Sequence, residues 1–174
     1  MAKSLFADRF QINLRNQVEY LLHNDWGRTS FQVVYEGGKE LPGSLAGRGD
    51  IIITDTDNPL KVLAIEIEHL SSYEQSKQNI SKFKYWAHNS HYRACGLLHI
   101  FNEGCKLNED QICYLLESAK INERKGLGFS YDVFFYNISD KRQYRKLAED
   151  IVLTKEFRVR LWQLLINLNL VRNR

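Results

Sequence analysis

Two neighbouring stretches of sequence decide the fold: residues 47–53, which read GRGDIII, and residues 63–69, which read LAIEIEH. The first stretch is a glycine-rich approach followed by a short aliphatic run, which predicts a loop that enters a β-strand. The second alternates aliphatic residues with two glutamates, and the turn-forming residues 55–59 separate it from the first. We therefore expect two antiparallel strands, over 51–54 and 62–69, with the second strand central in a sheet.

The acidic residues of these two strands form a candidate site. Because side chains alternate along a strand, Glu66 and Glu68 project from the same face. Buried carboxylates on one face repel each other unless a partner compensates their charge. A divalent cation held by Asp50 and Glu66 would remove this cost, and such oxygen ligands suit Mg²⁺ or Mn²⁺. The same alternation is also typical of an edge strand with one solvent-exposed face, and that alternative stays open.

The remaining sequence predicts an α/β fold within a single domain, residues 1–174. Aliphatic and aromatic runs predict three further strands, over 31–35, 94–101 and 131–138. Apolar residues at helical spacing predict helices over 5–23, 71–87, 108–120 and 142–170. The order is α-β-β-β-α-β followed by a C-terminal α-β-α, and it indicates a mixed central sheet flanked by helices.

Charge is unevenly distributed along the chain. Residues 1–139 hold 15 Lys and Arg against 17 Asp and Glu, whereas residues 140–174 hold 9 against 4. A basic end beside an acidic body is typical of a nucleic-acid-binding protein, and a solvated amphipathic helix shows the same pattern. Arg142, Arg145 and Lys146 are the candidates for contact with the phosphate backbone of DNA, or else they form an ordinary solvated helix face.

The sequence also indicates the compartment and excludes some kinds of site. The N-terminus lacks the apolar core of a signal peptide, and the longest apolar stretches are too short to span a bilayer. Three cysteines do not make a disulfide framework, and without a Cys-x-x-Cys pair we interpret them as buried residues rather than zinc ligands. We expect a cytoplasmic protein without a membrane partner.

Asp50 followed after a hairpin by Glu66-Ile67-Glu68 resembles the PD-(D/E)xK nuclease superfamily. Gly49-Asp50 stands for the Pro-Asp element, and Glu68 stands where the family usually has lysine. That departure is similar to the Glu-x-Glu variant of type II restriction endonucleases of the BamHI kind. The resemblance covers residues 5–103 and implies a restriction-endonuclease-like core, but it does not reach residues 104–174.

The resemblance implies a catalytic set of Asp50, Glu66, Glu68 and Glu19. Asp50 and Glu66 would be the ligands of Mg²⁺, with Mn²⁺ as the other candidate metal. Glu68 cannot supply the positive charge of a lysine, so it would instead orient or deprotonate the attacking water. The first helix of the family often adds a glutamate, and Glu19 is the matching position, although a solvated helix glutamate explains it equally well.

The implied function is metal-dependent hydrolysis of DNA phosphodiester bonds, in restriction or another defence against foreign DNA. Lys77 and Lys82 follow the motif strand and could act as a displaced phosphate-facing cation, as in some relatives; Arg48 lies in a loop that could contact DNA. Cleavage of both strands would favour a homodimer. Nucleases of recombination, repair or transposition share this core, and the missing lysine keeps open a non-catalytic module that binds nucleic acid or protein.

Overall fold

The described part of the chain forms both helices and strands. A computed structural model describes residues 5–35, 49–68, 72–89, 94–102, 105, 107–124, 129–137 and 143–171. Its helices are α1 (Leu5–Tyr20, continued by a π-helical turn over Leu21–Asp25), α2 (Tyr73–Asn89), α3 (Glu109–Arg124), α4 (Tyr144–Leu153) and α5 (Lys155–Asn167). Its strands are β1 (Phe31–Tyr35), β2 (Ile51–Asp55), β3 (Asn58–Glu68), β4 (Ala94–Asn102) and β5 (Phe129–Tyr136).

The five strands form one mixed sheet in the order β1-β2-β3-β4-β5. Strands β1, β2 and β3 are antiparallel neighbours, whereas β3, β4 and β5 run parallel. The parallel strands therefore end at a common edge of the sheet. Strand β2 runs the other way, so it begins at that same edge.

Helices cover both faces of the sheet and bury two separate apolar clusters. One face packs against α1, α4 and α5 through residues that include Phe10, Ile53 and Leu164. The other packs against α2 and α3 through residues that include Phe83 and Leu115. Because both faces are covered, the central strand β3 is aliphatic on both sides, and this is why its two glutamates stand out in the sequence.

The predicted α/β class, the mixed sheet and the antiparallel pairing of β2 with β3 are confirmed, with Ile51 opposite Ile65. Element ends differ from the prediction where local bonds decide them. Strand β3 begins at Asn58, before the predicted position 62, because the hairpin pairs almost to its turn. Helix α2 is capped by Ser72, whose Oγ accepts the amide N–H of Gln75.

The C-terminal region folds as two helices separated at Thr154. The hydroxyl of Thr154 accepts the amide N–H of Phe157 and caps α5. Among the described helices, none is long and apolar enough to cross a membrane.

Candidate active site

The predicted acidic residues meet at the edge where the parallel strands end. Glu66 and Glu68 lie at the end of β3, and Asp50 directly precedes β2. Because Ile51 pairs with Ile65, the next step along the register brings Asp50 beside Glu66. Ligands of open α/β sheets bind outside the carboxyl ends of the strands, so this edge is the natural position for a site.

Hydrogen bonds from two different elements fix the Asp50 carboxylate. Its Oδ2 accepts the amide N–H of Ile67 at 2.7 Å, and its Oδ1 accepts Nε2 of Gln11 at 2.8 Å. The same Gln11 nitrogen donates to the backbone carbonyl of Asp50, also at 2.8 Å. Just before Asp50, the backbone at Gly49 packs closely against β2 and α2, since a Cβ there would lie 2.5 Å from Cδ1 of Ile52 and 3.3 Å from Cζ of Phe83.

Glu66 is a buried carboxylate that contacts a cation from α2. Only 6% of Glu66 is exposed, and its Oε1 lies 2.7 Å from Nζ of Lys82. Burial first, and the neighbouring Asp50 carboxylate second, raise the pKa of Glu66 to about 8, although Lys82 acts in the opposite direction. The ionised form of Glu66 is therefore unfavourable, and further positive charge beside it would stabilise that form.

Glu68 is also buried, but its contacts differ from those of Glu66. Its Oε1 accepts a hydrogen bond from Nδ2 of Asn79 at 2.7 Å, and Nε2 of His99 lies 3.7 Å from the same oxygen. Its backbone carbonyl accepts the thiol of Cys105 at 2.7 Å. Asn79 of α2 thus holds the Glu68 side chain by a hydrogen bond, and His99 of β4 lies beside the same oxygen.

The donor chemistry of this edge fits a magnesium ion held mainly by water and substrate. Mg²⁺ is commonly bound by one or two carboxylates with water and phosphate oxygens as the other ligands, and Asp50 and Glu66 could be those two carboxylates. No group of three or more His, Cys, Asp and Glu side chains is placed to enclose a metal ion among the residues described. A closed structural site of the zinc type is therefore not formed by these residues.

Helix α1 contributes Gln11 to this edge, whereas Glu19 makes other contacts. The carboxylate of Glu19 pairs with Arg15 at 2.8 Å and lies eight residues, about 12 Å of helix, beyond Gln11. The sequence did contain a signal for Gln11, because it is a polar residue beside Phe10 and Leu14 on the apolar stripe of α1. Its 4% exposure reflects that position.

The two candidate lysines of α2 lie in different environments. Lys82 contacts Glu66, whereas Nζ of Lys77 lies 3.2 Å from Glu74 and 5.1 Å from the ring centroid of Tyr73. Five residues separate the lysines, which places them about 140° apart around the helix. The structure thus brings Lys82, and not Lys77, to the edge of the sheet where Asp50 and Glu66 lie.

The basic candidates near the C-terminus lie apart from this edge. Arg145 and Lys146 are exposed on α4, where they line a pocket with Arg9 and Asn13 of α1. Arg9 and Asn13 are each two residues from Gln11, about 200° around α1, so the pocket opens on another face of that helix. Arg48 and Arg142 lie outside the described residues.

The three cysteines, all within the described residues, form no disulfide and differ in exposure. Cys95 is buried, Cys105 is half-buried and Cys113 is exposed on α3, so burial was correctly predicted for Cys95 and was wrong for Cys113. Burial raises the pKa of the Cys95 thiol well above its ordinary value, which makes this residue a small apolar member of the core.

Comparison with known proteins adds no assignment, since the chain matches no family model and no curated protein sequence.

Proposed function

We propose that this protein is a metal-dependent endonuclease that hydrolyses DNA phosphodiester bonds. The observation that carries the proposal is the position of Lys82, whose Nζ lies 2.7 Å from Glu66 beside Asp50. Glu68 stands where the PD-(D/E)xK nucleases that this sequence resembles have lysine, and a glutamate cannot supply the positive charge of that lysine. A lysine supplied from α2 provides the missing positive charge at the same carboxylates.

The strand and helix order supports the same proposal. A helix, three antiparallel strands, a helix and a fourth strand parallel to the third is the order expected of a restriction-endonuclease-like core. The acidic residues lie at the edge of this sheet where β3 ends. The function and the core assignment therefore rest on the same residues.

Each side chain has a role that follows from its contacts. Asp50 and Glu66 would hold Mg²⁺ or Mn²⁺, which when bound supplies charge neutralisation at the phosphate and lowers the pKa of a water ligand. Lys82 would stabilise the negative charge that develops on the phosphate. Glu68 would orient the attacking water by accepting its hydrogen bond, and Gln11 would keep Asp50 in place.

Incubation of supercoiled plasmid with the purified protein in Mg²⁺, Mn²⁺ or EDTA tests the proposal. We expect nicking or linearisation with either metal and none in EDTA. Asp50→Asn and Glu66→Gln should abolish cleavage, and Lys82→Met should reduce it by about 100-fold or more, the typical effect of removing one charge-stabilising group. Lys77→Met is the matched control, because this lysine lies on the same helix but contacts Glu74.

Two outcomes would contradict the proposal. Cleavage by Asp50→Asn at the wild-type rate would show that the catalytic site lies elsewhere. Metal-independent DNA binding without cleavage would instead identify a non-catalytic module on this fold. Restriction or defence is the setting that the resemblance favours. Cleavage of both strands of a duplex would favour a homodimer with two sites, one per strand.

A further inference from the structure

The restraint on Glu68 is unusual for a residue expected to meet water. Only 3% of Glu68 is exposed, and two neighbouring side chains approach its Oε1. Asn79 donates to this oxygen from α2, and the imidazole of His99 faces it from β4. A carboxylate oxygen that side chains from two different elements contact has little freedom to reorient.

The contacts of His99 indicate which ring nitrogen carries the proton. The ring is fully buried, and its Nδ1 lies 2.8 Å from the hydroxyl of Tyr131. Within the described part of the chain, Nε2 has no hydrogen-bond partner, and Oε1 of Glu68 faces it at 3.7 Å. Oε1 of Glu68 already acts as an acceptor, since Asn79 donates to it, whereas a tyrosine hydroxyl donates or accepts. The arrangement is therefore satisfied when Nε2 carries the proton and Tyr131 donates to Nδ1.

The charge state of the ring agrees with this arrangement. Burial, and the nearby Lys82 ammonium after it, lower the pKa of His99 to about 3. The imidazole is thus neutral at physiological pH and has a single N–H to donate.

We propose that His99 is a positioning residue for Glu68: its Nε2–H holds Oε1, while Tyr131 fixes the ring from the opposite side. This inference rests on the proposed nuclease function and assigns the residues that orient its third carboxylate. The distance of 3.7 Å exceeds a hydrogen bond, and catalytic contacts of this kind often tighten only when substrate binds.

Two substitutions of His99 separate positioning from simple packing. The amide nitrogen of His99→Gln lies near the place of Nε2, whereas that of His99→Asn lies near Nδ1. We expect His99→Gln to keep kcat within about threefold, and His99→Asn to lower kcat by about 10–100-fold with little change in KM, the usual cost of losing a group that orients a catalytic residue. Equal activity of the two variants, or the reverse order, would overturn the proposal.

A spectroscopic measurement tests the contact without any activity. ¹⁵N NMR of the imidazole in EDTA should show the proton on Nε2, and Glu68→Gln should shift the Nε2 resonance more than that of Nδ1. A proton on Nδ1 would overturn the assignment. Should the wild-type protein fail to cleave DNA with any metal, the proposed function fails, and the NMR result still decides whether His99 holds Glu68.

Discussion

Replacing Glu66 with glutamine should change how the stability of the metal-free protein depends on pH. Glu66 is buried beside Asp50, and its pKa is raised from 4.5 to about 8 in the folded protein. A raised folded-state pKa means that the folded protein binds the proton more tightly than the unfolded chain. The stabilisation is thus fully present below pH 4.5 and is lost as the pH rises to about 8. Glutamine does not titrate, so Glu66→Gln should lack this loss.

The size of the effect follows from the same pKa change. One pKa unit corresponds to about 1.4 kcal/mol, so complete ionisation of Glu66 lowers the free energy of unfolding by about 5 kcal/mol. Between pH 5 and pH 8 the wild type should lose about 3 kcal/mol more than the variant. The substitution also removes the ion pair with Lys82, so the free energies of unfolding of the two proteins differ for this reason as well. The two proteins are therefore compared by the slope of the free energy of unfolding against pH, rather than by its absolute value.

Urea unfolding in EDTA across this pH range measures both slopes. Glu149→Gln is the matched control, because it removes the same charge from an exposed side chain of α4. Addition of Mg²⁺ at pH 7 should then stabilise the wild type and leave Glu66→Gln unchanged, since a ligand stabilises only the state that binds it. Parallel curves for wild type and Glu66→Gln in EDTA would refute the argument that burial and Asp50 raise the pKa of Glu66 despite its ion pair with Lys82.

Four further perturbations test contacts near the site and the basic residues of α4. Tyr136→Phe should leave the free energy of unfolding unchanged or raise it by about 1 kcal/mol, because this buried hydroxyl has no hydrogen-bond partner in the described ranges. Tyr131→Phe removes a bonded hydroxyl and should lower it by about 1–2 kcal/mol in the same urea assay; equal effects of both variants would contradict this. Gln11→Met removes two hydrogen bonds to the acidic edge and should weaken Mn²⁺ binding in calorimetry, whereas unchanged affinity would show that the bonds are dispensable. Replacing Arg145 and Lys146 by alanine should flatten the salt dependence of DNA binding by about 2 in the log–log slope, and an unchanged slope would assign them to a solvated helix face.

The sequence contained enough information to predict the sheet and the position of its acidic residues. Both follow from the aliphatic runs at 51–54 and 62–68 and from the two glutamates that interrupt the second run, since β3 is central and buried. Helix ends were less predictable, since single side-chain bonds decide them. The start of α2, for example, is fixed by the single hydrogen bond from the amide of Gln75 to Oγ of Ser72.

The hydrogen-bond and contact partners of each carboxylate could not be predicted from local sequence patterns. Asn79 and His99 come from α2 and β4, and only the packing of that helix on the sheet brings Asn79 to Glu68. Gln11 was detectable as a polar residue on an apolar helix stripe, but the stripe does not say which residue it meets. Contacts of this kind join residues 11 to 39 positions apart in the chain.

The position of Lys82 shows how the same physical requirement is met without the usual sequence motif. The buried carboxylates of Glu66 and Glu68 need a positive charge within a few ångströms, whichever helix or strand supplies it. A strand lysine two residues after Glu66 would meet this requirement locally, but the chain has Glu68 there. Helix α2 connects β3 to β4 and packs against the sheet. Lys82, which follows Glu66 by sixteen residues, therefore lies 2.7 Å from Oε1 of Glu66. Charge compensation is thus a property of the folded edge, and a motif defined only along the strand does not reveal it.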